Sequence, residues 1–594
     1  MRAGANEDMG GRLSLPPDRA NLPLLIAVVA LVLGMSLVFL LLFLRLWLGP
    51  TGMERFIMGR GPQKIRVALL NSRLTETQMQ KLGGDYTRLI SQWQEILRGL
   101  EGDEISYRLI GDQELGEGRD NFDVLILPSA TTLSDPQLEG LRSFVKEGGG
   151  LLISWAAGTR RPDGSWRGWD LVNELADLKV VGTAPANKDG RMALVIRGES
   201  PLAFGMAPGS RLEIIPRSEP ILASSTTSDG YWARPVLGTV EGRTEILGLE
   251  PMQMEGTYLT GISRKSLGRG RVVFMGFGLD SISETYEQKR LVKGLLLNSI
   301  RWLAQRPIPV LRGWPGDHPF AAIFALDAEG DFPRSLEAIK ILKEKGVRGS
   351  FFMLSGLAQR HPELVAQAGK AGEIAIHGDT HDPFGGQDYE QQLQRLERAK
   401  KELSSLSGQE VVGFRPPALE SNQDTWKAMS RLGLKYIFTA EAGSSSPKVV
   451  HYPEEGEGKL LFTPSGKIVL IPQPFNDDYN LFVKREASPA EALEIWNREL
   501  RRALNEGSLF IFSYHTTPPW GLLNGREWIL REMINSAIIS RAWTATAKEV
   551  AEWWLSRENI AVKAEVLTLT RRASLTVTNN NPTAIPQVRV DLYL

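Results

Sequence analysis

The chain contains no cysteine. That removes disulfides, thiol nucleophiles and cysteine-based metal sites together, and it is compatible with an exported protein. Net charge is lacking too: 69 basic residues balance 69 acidic ones. No basic footprint for a nucleic acid is therefore expected. Histidine is scarce, with 6 in 594 residues. That length implies about three or more domains on the usual size range.

One apolar run stands out. Pro23 to Leu44 is charge-free and almost wholly apolar, long enough to span a bilayer as a helix. No small-residue cleavage site follows in Phe43-Leu-Arg-Leu-Trp-Leu-Gly-Pro50. An uncleaved membrane helix over 23–48 is expected, after a tail over 1–22. Trp47 suits the interfacial belt. Arg2, Arg12 and Arg19 precede the span, and Arg55, Arg60, Lys64 and Arg66 follow it, so charge alone does not orient it.

Two of the scarce histidines lie within five residues of each other, in Glu373-Ile-Ala-Ile-His-Gly-Asp-Thr-His-Asp-Pro-Phe384. A buried strand there is expected to break at Gly378. The spacing of His377 and His381 predicts two imidazoles on one side of a helical turn, and imidazole is a preferred ligand of zinc and its neighbours. Upstream, the apolar strand Ile323-Phe-Ala-Leu-Asp-Ala-Glu329 ends in two carboxylates. Alternation points Asp327 and Glu329 to one face. Downstream come Phe414-Arg-Pro-Pro417 and Phe510-Ile-Phe-Ser-Tyr-His515. Each group follows a strand-like run, as at the C-terminal mouth of a parallel sheet or barrel.

Asp-x-Glu, His-Gly-x-Thr-His, Arg-Pro-Pro and the late strand ending in His515 resemble, in order, the motifs of the polysaccharide deacetylase family of carbohydrate esterases. The resemblance covers Arg306 to Ser556. It is nearest the branch with Asp-x-Asp or Asp-x-Glu, which includes peptidoglycan deacetylases and allantoinase-like amidohydrolases. Ile471-Pro-Gln-Pro-Phe-Asn-Asp-Asp-Tyr-Asn-Leu-Phe482 resembles that branch's Asp-Asp segment. The resemblance implies a distorted (β/α) barrel over 306–556. It also implies a divalent metal on Glu329, His377 and His381: zinc, with cobalt, manganese, iron or nickel as alternatives. Asp327 would be the general base, oriented by Arg415, and His515 the general acid. The backbone N–H near Ala418 would help hold an oxyanion, although Ala418-Leu419 departs from the family's aromatic residue and Gly. Asp477 and Asp478 are candidates to tune His515. Trp520 is a candidate sugar platform or a loop-packing residue. Tyr514, where the family has Leu, is expected to narrow the acetyl pocket.

Before this region, 64–305 reads as a doubly wound α/β domain. Ile65 to Leu70 and Phe122 to Pro128 are apolar strands of the central parallel kind. Ser134-x-x-Gln137 is a capping box, Gly148-Gly-Gly150 a stop, and Leu151 to Ser154 the returning strand. The pattern resembles a class I glutamine amidotransferase-like domain. Its nucleophile position falls in Ile153-Ser-Trp-Ala-Ala-Gly158, which has no thiol, so amidotransfer is chemically closed. A structural role, or binding of a protein or glycan partner, is left. After Ser556 the composition turns β-rich over 557–594. Those strands either pad the barrel or belong to a β-sandwich.

Three functions fit the sequence. The first is a membrane-anchored metal-dependent deacetylase of a cell-surface glycan, N-terminus inside and catalytic domain outside the cytoplasm. The second is an amidohydrolase of a small non-peptide C–N bond. The third is a silent glycan-binding scaffold.

Overall fold

The computed structural model describes residues 26–40, 42–43, 64–81, 84–102, 104–116, 122–183, 192–196, 200–215, 236–240, 247–254, 257–440, 444–452, 466–474, 476–567 and 572–594. Lys64–Ala564 with Leu575–Leu594 make one compact unit, and the rest of the chain makes another. In the latter, residues 26–40 and 42–43 are helical, with exposed apolar side chains such as Leu33 and Phe39. Among the described residues no helix is long and apolar enough to cross a membrane. The remainder of the expected span and the tail before it lie outside the described residues.

In the larger unit the chain builds two large sheets. The first has a parallel core in the order Ile105–Ile110, Ile65–Leu70, Val124–Leu127, Gly150–Ser154 and Gly270–Met275. Strands without charge or turn residues, such as Val124–Leu127, are buried along their whole length. Helix Asp135–Lys146 between two of them starts on the Ser134 capping box. Antiparallel strands extend the sheet from Thr257–Leu267. Trp155, in the turn after Gly150–Ser154, has a φ of 53°.

The second sheet is a curled half-barrel. Its parallel strands run in the order Gly466–Pro472, Tyr436–Thr439, Gly413–Phe414, Gly372–Gly378, Gly349–Leu354, Ala321–Ala328 and Leu509–His515. Lys448–Tyr452 adds an antiparallel edge. Among the described residues the two ends of this order do not pair, so the sheet curls without closing.

Strand alternation divides the core into two layers. Ala322, Phe324, Leu326, Phe512 and Tyr514 pack outward against helices such as Ser335–Lys345 and Pro489–Glu506. Ala321, Ile323, Ala325, Phe352, Phe438 and Ile511 fill the interior. Asp327 and His515 continue the interior rows at their C-terminal ends. Tyr514 does not narrow an acetyl pocket, as the sequence suggested. One residue before His515, it takes the opposite face and is fully buried under the helices. At the C-terminus, Val590–Tyr593 pairs antiparallel with Ile308–Leu311, the strand that precedes the second sheet.

The other end of the half-barrel is tied by a buried carboxyl. Glu373 accepts hydrogen bonds from Tyr436 Oη at 2.7 Å, Ser350 Oγ at 3.1 Å and Lys548 N at 2.8 Å. Burial outweighs these bonds and pushes its pKa from 4.5 up to about 7. The folded state therefore holds this proton more tightly than the unfolded chain does. The resulting stability is present below the unfolded value and is lost as pH rises through about 7. Melting temperature should fall across that window, and Glu373→Gln should flatten the fall. Equal slopes for the two proteins would contradict this.

Candidate active site

The mouth of the half-barrel collects side chains from the C-terminal ends of its strands. Ala321–Ala328 lies between Gly349–Leu354 and Leu509–His515, and Asp327 is in register with His515. Asp327 is buried. Its Oδ2 lies 3.2 Å from Arg415 Nε and 3.4 Å from His515 Nε2, while Oδ1 is buried without a hydrogen-bond partner. Arg415 is itself buried. Its Nη1 donates to Ser513 Oγ at 2.6 Å, and its guanidinium lies 5.3 Å from the Phe438 ring centre. Burial alone would raise the Asp327 pKa. The Arg415 charge, with His377 and His515, outweighs burial and holds it below the usual carboxylate range.

Glu329 follows the strand directly. Its Oε2 lies 2.6 Å from His381 Nε2 and 3.4 Å from His377 Nε2. The backbone N–H of Glu329 donates to Thr516 Oγ1 at 3.1 Å, and the Thr516 hydroxyl donates to the Glu329 carbonyl. Thr517 Oγ1 donates to Glu329 Oε1 at 3.0 Å. These two threonines had no signal of their own in the sequence; they follow His515 on the adjacent strand end. Gly330, at φ 58°, is required where it stands, since a Cβ there would meet Thr517 Oγ1 at 2.9 Å.

The two histidines do not share a helical turn. The strand runs on to Gly378, and its pairing slips between Met353–Ile376 and Leu354–Gly378. His377 is the extra residue of this bulge, a device that re-aims a side chain at a sheet rim. Gly378, at φ 126°, then turns the chain so that His381 comes back from the following loop. The His377 ring donates from Nδ1 to the Arg415 carbonyl at 2.9 Å, which leaves Nε2 as an acceptor. That Nε2 is buried with no hydrogen-bond partner.

Glu329, His377 and His381 present ligand atoms that all lie within 4.8 Å of one another, so they could hold a metal ion. A buried imidazole lone pair with nothing to accept, facing a carboxylate oxygen, fits a divalent cation that takes nitrogen and oxygen donors. Burial would raise the Glu329 pKa, but the two imidazoles facing it, His377 and His381, outweigh it and hold the carboxyl far below its usual range.

His515 stands on the other side of Asp327. Its Nδ1 donates to Asp478 Oδ1 at 2.5 Å, and its backbone N–H donates to Asp478 Oδ2 at 2.9 Å. Leu522 N also donates to Oδ2, at 2.7 Å, so the fully buried Asp478 is held on several sides. Asp477 has a different place: its Oδ1 accepts from Asn480 N at 2.7 Å, in the turn that follows. Of the two adjacent aspartates, only Asp478 contacts His515. Burial would lower the His515 pKa, but the charges of Asp478 and Asp327 outweigh it and raise it well above the ordinary value.

The Trp520 ring lies 5.0 Å from that of His515 and 5.1 Å from that of Tyr479, which is 37% exposed. Trp520 thus borders the site, beside an aromatic residue that the sequence reading did not single out. Ala418 is exposed on the turn after Arg415. It and Leu419 both take left-handed backbone, with φ of 54° and 60°. Non-glycine residues in this region carry strain of the kind that clusters at functional sites.

Residues 330–437 match the family model described as polysaccharide deacetylase. No curated protein matches the chain. Among solved structures, a putative polysaccharide deacetylase from Mycobacterium smegmatis is 26% identical, covering 41% of this chain and 93% of its own, with a TM-score of 0.35. A probable polysaccharide deacetylase from Pseudomonas aeruginosa is 17% identical, covering 41% of this chain and 92% of its own, with a TM-score of 0.35. The PuuE allantoinase is 16% identical, with the same coverage and TM-score as the Pseudomonas protein. The family match spans the strands and loops that carry His377, His381 and Arg415, so this stretch of the chain is similar to the polysaccharide deacetylase model.

Proposed function

We propose that the protein is a membrane-anchored, metal-dependent deacetylase that hydrolyses N-acetyl or O-acetyl groups of a cell-surface glycan. One observation carries this reading. A buried carboxylate with an unpartnered oxygen, Asp327, lies between a set able to bind a divalent ion and a histidine whose Nδ1 is held by the buried Asp478.

Amide hydrolysis needs an activated water, a stabilised oxyanion and a proton for the leaving amine. A divalent ion held by Glu329, His377 and His381 would lower the pKa of water and polarise the acetyl carbonyl. Asp327 Oδ1 takes the proton of the attacking water, and Arg415 keeps the other carboxylate oxygen in place. His515 Nε2 gives its proton to the departing nitrogen, while Asp478 holds the ring by Nδ1. The strained turn at Ala418 presents a backbone N–H to the oxyanion. Trp520 offers a ring face to a sugar at the rim.

The pH dependence follows from Asp478. As the acid, His515 must be protonated, so kcat/KM should fall as pH rises through its pKa. Asp478→Asn removes the nearest negative charge and lowers that pKa. The alkaline limb of kcat/KM should move to lower pH while the acid limb stays. An unmoved alkaline limb would mean that His515 is not the acid or that Asp478 does not tune it.

Residues 64–305 contribute no side chain to this set. Their role in the proposal is structural or in binding a partner, on an amidotransferase-like frame without its nucleophile. The catalytic region is placed outside the cytoplasm, which digestion by protease added to intact spheroplasts tests; full protection would reject it. For the substrate class, acetate release should be seen from acetylated chitooligosaccharide or peptidoglycan. Hydrolysis of a small ureide with no acetate release from either glycan would favour the amidohydrolase reading instead.

A further inference from the structure

Two histidines face Glu329, but their rings are held differently. His377 is fixed by the bond from Nδ1 to the Arg415 carbonyl and is 3% exposed in its side chain. The His381 side chain is 50% exposed, and its contact is with Glu329. Among the described residues, its second ring nitrogen makes no hydrogen bond. Metal-binding histidines ordinarily have such a bond, and it sets the ring's orientation. For His381 the backbone of its loop must do that work.

That loop is gripped by one side chain. Arg395, on helix Tyr389–Ser407, donates from Nε to Asp379 Oδ1 at 2.7 Å. Its Nη2 reaches the Thr380 carbonyl at 3.3 Å, the Thr380 hydroxyl at 3.2 Å and the Asp382 carbonyl at 3.1 Å. The bonds therefore fall on both sides of His381. The guanidinium also lies 4.1 Å from the ring centre of Phe384, which is fully buried. Arg398, the nearby cation, touches Asp379 only at 3.5 Å and is 60% exposed. Thr380 Oγ1 donates to Asp382 Oδ2 at 2.7 Å, but that bond lies within the loop and does not tie it to the scaffold.

We propose that Arg395 is a positioning residue for His381 and, through it, sets the affinity of the site for a divalent cation. A planar fork can satisfy a carboxylate and two loop carbonyls at once; a lysine ammonium cannot reproduce that geometry. The inference rests on the metal reading above.

The test is zinc affinity of the metal-free protein, measured by competition with a chromophoric chelator, with melting temperature recorded in excess chelator. Arg395→Met should weaken zinc binding by about 10- to 100-fold, the usual scale for losing support behind a ligand. Arg395→Lys should lie between it and wild type, and Arg398→Met should match wild type. Metal-free melting temperatures should stay close together. If Arg395→Met does not fold, Arg395→Lys carries the comparison, and it should still bind zinc more weakly than wild type. Wild-type zinc affinity in a folded Arg395 variant, or an equal loss in Arg398→Met, overturns the proposal while leaving the metal reading intact. Absence of zinc binding by wild type overturns both.

Discussion

Asp327→Asn is expected to keep its bound metal and to slow turnover by roughly two to four orders of magnitude, the usual scale for removing a general base. The expectation follows from the two oxygens of this carboxylate. Oδ2 is engaged by Arg415 and His515, and Oδ1 is buried with no partner. Asparagine retains one acceptor for Arg415 but cannot take a proton. The Arg415 cation is buried, and leaving such a charge uncompensated costs about 3–5 kcal/mol when the partner is removed outright. The retained carbonyl should limit that cost. Melting temperature must accompany the rate, so that unfolding is not read as lost chemistry. A folded Asp327→Asn protein with near wild-type turnover would remove Asp327 from the mechanism.

Glu329→Ala should lose metal and activity together, with partial rescue by excess metal. Its side chain is the carboxylate that faces both imidazoles, and Thr517 holds its other oxygen. Removing it leaves two nitrogen donors, one of them on an exposed side chain. Bound metal and rate, measured on both variants, separate the roles. Should Asp327→Asn empty the site while Glu329→Ala keeps its ion, the assignments are reversed. The neighbouring Ala328 can do neither job, because its methyl side chain can neither take a proton nor bind a metal, and it packs into the helix-facing core. The next carboxylate on the interior side is therefore Glu329, just past the end of the strand.

Much of this site was legible because its residues sit where period-two alternation ends. Apolar strands ending in Asp327, Arg415 and His515 mark a sheet mouth without any structure in hand. The bulge at His377 was not legible. Residues four apart suit a helical turn as well as a bulged strand followed by a loop, and only pairing with Gly349–Leu354 decides between them. Asp477 and Asp478 are adjacent, so composition cannot say which one turns toward His515; the caps of the following turn decide it. Tyr514 was misread for want of the same alternation argument that placed His515. Arg395 carried no motif at all. Its part depends on a helix folding back over a loop, a contact that local sequence does not encode. In the first sheet, the boundaries of Ile65–Leu70 and the Ser134 cap were readable from uninterrupted apolar runs and capping chemistry.

The central claim is that a divalent ion on Glu329, His377 and His381 supports deacetylation. Its most direct test is acetate release from acetylated chitooligosaccharide and peptidoglycan, with metal content measured on the same sample. About one divalent ion per chain is expected, with acetate release lost on chelation and restored by added metal. Protein that binds no divalent ion, or that releases acetate equally well after the ion is stripped, would contradict the account.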